Sequence, residues 1–352
     1  MKDIRDGIFV DYYIRSRIMR ETNNQDLLGE IYASKYARWI IPFFKKRGVD
    51  KVPLLISCNT LYQFPDYFKI KENSFFVVDY YLYSYFYDLN YSLSDKIRNE
   101  FSINLHIKTY IEQAYIKKNV DICYSLCKTS ATIEDFKKTN DYNDQELSCF
   151  LVTLTDLQEE FTFLHEASHF FLDLDSSIIK DKEYQKICYC FNKVYSGLNP
   201  SFYNECFCDY SAVLFILEKS YFENKLSRTM YFMALFSALI YTYMLRFTMI
   251  AQDLKTVDLD SYMDEELKIL VLRIGGIYCY IYNFLIQNGI TYDIPVLKEA
   301  YEKSTQIYMK MGEDLRTIIK TIKASGESHL KSFEDISKSD KNDFIKLFLN
   351  LL

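Results

Sequence analysis

Along the second half of the chain, long apolar and aromatic stretches with few breakers predict one helix after another. Thr155 with Gln158 and Asp156 with Glu159 both have capping-box spacing, so a helix is predicted to start there and run to about Leu174. A second is predicted from about Asp181 to Ser196, closing at Gly197, a residue suited to the left-handed position after a helix. A third opens with Asn199 as cap and Pro200 in the first turn, and continues through "CFCDYSAVLFILEK". Residues 225–325 read as further helices, followed by a polar tail over 326–343 and a last short apolar helix. The first 50 residues read as helices broken near "ETNNQD" and stopped around Pro42, with Trp39 on an apolar patch.

Between these parts, "VPLLISC" (52–58) and "SFFVVDYY" (74–81) are β-branched and aromatic runs bounded by Pro and Asn, and they read as strands. The pattern turns helical again from Tyr81 to about Leu126, and the polar stretch 128–146 marks a boundary. The predicted class is therefore α+β, predominantly α-helical. A region 1–147 would hold helices and a small β-sheet, and a helical region 148–352 would carry the helices at about 155–174 and 200–219.

Composition agrees with a helix-rich globular chain: 352 residues, 49% hydrophobic and 17% aromatic, with only 9 Gly and 5 Pro. A net charge of -6 with scattered lysines gives no electrostatic footprint for nucleic acid. Nine cysteines without a CxxC pair read as free thiols, and Asp3 and Asp6 interrupt any secretory signal, so the expected location is cytoplasmic. Thr229–Leu245 and Ile274–Tyr292 are free of charges for 17 and 19 residues, at the bottom of the membrane-spanning range. Their tyrosines, amides and glycines fit buried core helices better, so no membrane partner is expected.

The chain has four histidines, and two of them stand in "FLHEASHFF" at 163–171. On a helix, His165 and His169 are one turn apart and project from one face, where two imidazoles can share an ion. Glu166 flanks the open side, placed to take a proton from a metal-activated water. A tetrahedral catalytic site then needs one more protein ligand. In "NECFCDYSA", Glu205 and Asp209 are again one turn apart; a glutamate reaching the metal would bring Asp209 near His165, to accept its other ring N–H. Asp175, six residues beyond His169, and Cys206 and Cys208 are rival ligands. Leu172, though, would let the helix carry Asp175 away, and Cys206 and Cys208, like Cys188 and Cys190, read as buried hydrophobes. His106 reads as an ordinary core or surface histidine.

These residues resemble the gluzincins, the thermolysin-like zinc metallopeptidases, whose pattern is His-Glu-x-x-His followed by Glu-x-x-x-Asp on a later helix. The resemblance covers about 155–218 and implies a helical zincin-like core, Zn2+ held by His165, His169 and Glu205, Glu166 as catalytic base and Asp209 as partner of His165. It also implies that Asn204 orients His169. In broad outline an intracellular phage-exclusion peptidase is compatible as well. The implied activity is zinc-dependent hydrolysis of peptide bonds in an intracellular protein or peptide; the alternative is a helical interaction protein with a structural or vestigial zinc site. The pattern also calls for an oxyanion-stabilising residue. Only His329 lies downstream among the histidines, so a tyrosine is expected, left unassigned among 32.

Overall fold

A computed structural model describes residues 26–49, 54–58, 66–70, 73–92, 145–174, 182–194, 198–253 and 259–325. Its helices are α1 (Asp26–Lys46), α2 (Tyr80–Ser92), α3 (Gln145–Leu174), α4 (Lys182–Val194), α5 (Pro200–Ser220), α6 (Arg228–Asp253), α7 (Leu259–Gln287) and α8 (Ile294–Ser325). A 3-10 turn at Thr291–Asp293 joins the last two. The readings at His106, Asp175, Gly197, His329, the polar stretch 128–144 and the tail fall outside the described residues.

The α+β class is overturned, because the interpretable body of the chain is 89% helical and contains no strand. Outside that body lie three short strands, β1 (Leu54–Cys58), β2 (Asp66–Ile70) and β3 (Asn73–Asp79), in the order β1-β3-β2. They form a patch at the flank of α3, not a layer of the architecture. β1 falls within the run 52–58 and β3 overlaps the run 74–81, and Tyr67, Phe68, Phe75 and Phe76 stand in strands; the class fails because these strands are only five to seven residues long, whereas the helices run 13 to 32 residues and supply nearly all of the core.

α3 is the axis of that packing, with α1, α2, α5 and α6 all lying against it. Phe161, Phe163, Leu164, Ala167, Phe170 and Phe171 of α3 are all buried and form one apolar half of the helix, with Thr162, His165, Glu166 and His169 on the other half. α8 then packs on α6, while α4 and α7 pack on α5. One hydrophobic cluster runs from Tyr36 on α1 to Ala300 on α8, so the two predicted regions share a core.

α3 begins at Gln145, ten residues before the predicted start. The residues of the supposed capping boxes are spent sideways. Thr155 Oγ1 and Gln158 Oε1 accept from Asn90 Nδ2 of α2 at 3.0 and 2.6 Å, and Gln158 Nε2 donates to Ser237 of α6 at 2.7 Å. Glu159, fully buried, accepts from Lys35 at 2.6 Å and from the Tyr36 hydroxyl of α1. Asp156 accepts from the same Lys35 at 2.7 Å. Pro42 likewise does not stop α1. It sits on an exposed face, and the helix runs on to Lys46, closed by Gly48, whose φ of 70° lets Gly48 N and Val49 N donate back to Lys45 O and Phe44 O.

α5 is fixed at its start by Asn199, whose side-chain oxygen accepts from Phe202 N–H at 2.8 Å, with Pro200 in the first turn. α7 packs against it, and Asp264–Gln287 within α7 is long and apolar enough to cross a membrane, with 44% of its most apolar window buried. The charge-free run 274–292 does not form one helix: α7 ends at Gln287, and Gly289 turns the chain with φ 70°.

Candidate metal centre

α3 and α5 pack so that the last third of α3 meets the first half of α5, and this brings the two sequence patterns together. His165 Nε2 lies 3.2 Å from Glu205 Oε2, and His169 Nε2 lies 3.5 Å from Glu205 Oε1. His165 Nδ1 lies 2.9 Å from Oδ1 of Asp209. That last approach is too bent for a regular hydrogen bond. The separation still decides the matter, because a carboxylate this close favours a proton on Nδ1 at any angle and so leaves the Nε2 lone pair for a ligand bond.

Two glutamates compete for the place of third ligand. Ligand atoms of His165, Glu166 and His169 lie within 4.8 Å of one another, a grouping that by itself would select Glu166. Glu205 fits better. Bonds of 2.0–2.2 Å in a tetrahedron put neighbouring donors roughly 3.3–3.6 Å apart, and the two Glu205 oxygens meet the two imidazoles at about that separation. The donor set of two imidazoles and one carboxylate suits zinc and leaves a corner open. Exposure is graded accordingly: the side chains of His169 and Glu205 are 26% and 30% exposed, those of His165 and Asp209 9% and 1%.

Behind the ligands stands a residue that the reading of the sequence did not single out. Arg273 of α7 is buried and forks onto Asp209, Nε to Oδ2 and Nη2 to Oδ1, both at 2.8 Å. Its Nη1 lies 3.0 Å from Glu205 Oε2 and donates to the Tyr243 hydroxyl of α6 at 3.2 Å. The signal was a lone charge in "ILVLRIGGIY", since an arginine inside a core helix has to be paired.

The charges of the cluster balance one another. Burial alone would raise the Glu205 carboxyl, but Arg273 and the two histidines hold it well below the usual carboxylate range. Asp209 is lowered against its burial by Arg273 and His165. Burial disfavours the His165 imidazolium, yet the Asp209 and Glu205 carboxylates standing against its two nitrogens carry the imidazole up to about 10. His169, desolvated and beside His165, is pushed down to about 4. The cluster thus stores positive charge on His165, a proton it would have to release if a metal ion bound there.

The remaining candidates separate clearly. Asn204 Oδ1 accepts from Tyr184 of α4 at 2.7 Å, so it ties α5 to α4. The Cys206 and Cys208 thiols are buried, and desolvation pushes both far up, which keeps them protonated and poor as ligands. Cys149, Cys188, Cys190 and Cys279 are free thiols too. Tyr243 is joined to the cluster through Arg273. Searches of family models, curated proteins and solved structures return no match to this chain.

Proposed function

We propose that the chain is a zinc-dependent metallopeptidase that hydrolyses peptide bonds of an intracellular protein or peptide, with His165, His169 and Glu205 as zinc ligands and Glu166 as general base. The observation that supports this reading most is the meeting of both Glu205 oxygens with the two imidazoles at 3.2 and 3.5 Å, while Asp209 stands behind His165. Zinc bound there would supply a Lewis acid that polarises a scissile carbonyl and makes a water acidic enough to ionise near neutral pH.

The protein's own groups carry the rest. Glu166 lies beside His165, half-buried, and its carboxylate is close enough to the ligand atoms to take a proton from water and pass it to the leaving amine. Asp209 sets the tautomer of His165, and Arg273 keeps Asp209 ionised and in place. The partly exposed edge at His169 and Glu205 gives a substrate its approach. The mildly acidic surface and free thiols favour a cytoplasmic setting without nucleic acid as partner. A structural zinc site in an interaction protein would want a fourth protein ligand; the protonated, buried thiols beside Glu205 are poor candidates, which leaves Glu166 as the group whose role separates the two readings.

The test is Glu166→Gln, compared with the parent for zinc content and for new peptide termini in a cell extract. Equal zinc content with cleavage reduced about 10²–10⁴-fold is expected. Cleavage at the parental rate would remove Glu166 from the mechanism, and a parent that generates no specific termini would count against peptidase activity.

A further inference from the structure

α7 is more apolar than its place in the core requires: Asp264–Gln287 has the character of a membrane span, yet only 44% of its most apolar window is buried. Part of the remainder lines a cavity of about 550 Å3 between α4, α5 and α7, within the size range of small-molecule sites. The cavity follows α7 from Val271 to Gln287, about 24 Å at a rise of 1.5 Å per residue. Phe191 of α4 and Leu214 of α5 contribute apolar wall, while Val271, Cys190 and Cys279 are exposed and mark its open side. The two neighbouring glycines of α7 are used differently. A Cβ at Gly276 would come within 2.9 Å of Phe191 Cζ, so that glycine admits α4. A Cβ at Gly275 would meet nothing within 4 Å among the described residues, so there the cavity reaches the helix backbone itself.

The dimensions select among occupants. A volume of 550 Å3 spread over about 24 Å leaves a mean cross-section of about 23 Å2. An α-helix with its side chains is about 10–12 Å across and needs roughly 80–110 Å2. A single aliphatic chain, whose carbons keep contacts of about 3.5–4.0 Å, needs roughly 20 Å2. Charge narrows the choice further. Lys186 of α4 is the one charged side chain among the described lining residues, and Asn283 and Gln287 add amide donors. We propose that this groove binds a long-chain fatty acid, its aliphatic chain laid along α7 past Gly275 and its carboxylate met by Lys186. Arg273 leaves α7 on another face and bonds Asp209, so the groove and the metal cluster are separable and neither reading depends on the other.

The full chain is titrated with cis-parinarate, a fatty acid whose conjugated chain fluoresces when it enters an apolar site. Bound probe is then displaced by palmitate, or by hexadecanol, which has the chain without the charge. The parent should bind one equivalent, and palmitate should displace it better than hexadecanol. Gly275→Leu places a side chain in the groove. Each methylene it keeps out costs about fourfold, so affinity should fall about 10–60-fold, with helix content by circular dichroism retained. Lys186→Gln should weaken palmitate about 2–5-fold and leave hexadecanol unchanged. If Gly275→Leu does not fold, Cys279→Phe at the exposed rim takes its place. No saturable binding by the parent, or binding undiminished in Gly275→Leu, would overturn the proposal. So would a parent dimer that Gly275→Leu separates, which assigns the groove to a second copy, or sedimentation with phosphatidylcholine vesicles that Gly275→Leu abolishes, which assigns it to a bilayer lipid.

Discussion

His165 and His169 stand one helical turn apart and are held in opposite protonation states, one pushed up to about 10 and the other down to about 4. The two shifts set the pH behaviour of the metal-free protein. His165 has a folded pKa above its ordinary 6.5, so the stability it contributes is complete below 6.5 and is lost as pH rises toward about 10. His169 has a folded pKa below 6.5, so it costs stability as pH falls from 6.5 toward about 4, where the unfolded chain takes up the proton first. From these two groups the thermal midpoint of the chelator-treated protein is expected to be highest near pH 6.5 and to decline on both sides. Zinc should flatten the alkaline limb, because the bound state has already released the His165 proton. Melting curves across that range, with and without zinc, check this; an alkaline limb identical in both would mean that His165 is not a ligand.

At the scale of helices, the ends and the lateral contacts have separable costs. Asn199→Ala removes the cap of α5 and is expected to lower stability by about 1 kcal/mol in a denaturant titration, with the cluster at Glu205, nearly two turns further on, disturbed only slightly. Asn90→Leu removes the partner of Thr155, Gln158 and Tyr241 at the buried junction of α2, α3 and α6, and is expected to cost about 3 kcal/mol by stranding polar groups. A loss below 1 kcal/mol there would mean that water takes over these bonds. These same elements show what the amino-acid string reveals. The Asn-Pro start of α5 is legible because a cap is a local bond between neighbours. The start of α3 is not, because residues three apart in a capping box are also residues on one helix face, and Thr155 with Gln158 spend that geometry on α2 and α6. The histidine pair is legible from its spacing alone. Arg273 is not, since its partners Asp209, Glu205 and Tyr243 lie on two other helices and nothing local names them.

For the molecule as a whole, the site is a joint between three long helices, so occupancy should be felt globally. An ion present at 100 times its dissociation constant is expected to add about 2.7 kcal/mol to folding, visible as a higher midpoint that falls again with chelator. The membrane question belongs to this scale too. Asp264–Gln287 has the length and apolar character of a span, but Arg273 lies inside it and is bonded to Asp209 in the protein core. Extracting that helix into lipid would break a buried ion pair at a cost of several kcal/mol, so the chain is expected in the soluble fraction without detergent, and recovery only with detergent would contradict the packing described. The central claim is that α3 and α5 jointly hold one ion through His165, His169 and Glu205. It is tested most directly by measuring zinc per chain after stripping and reloading, in the parent and in Glu205→Ala. The account predicts one equivalent in the parent and a loss at the same free zinc concentration in Glu205→Ala; equal occupancy in both, or none in the parent, would contradict it.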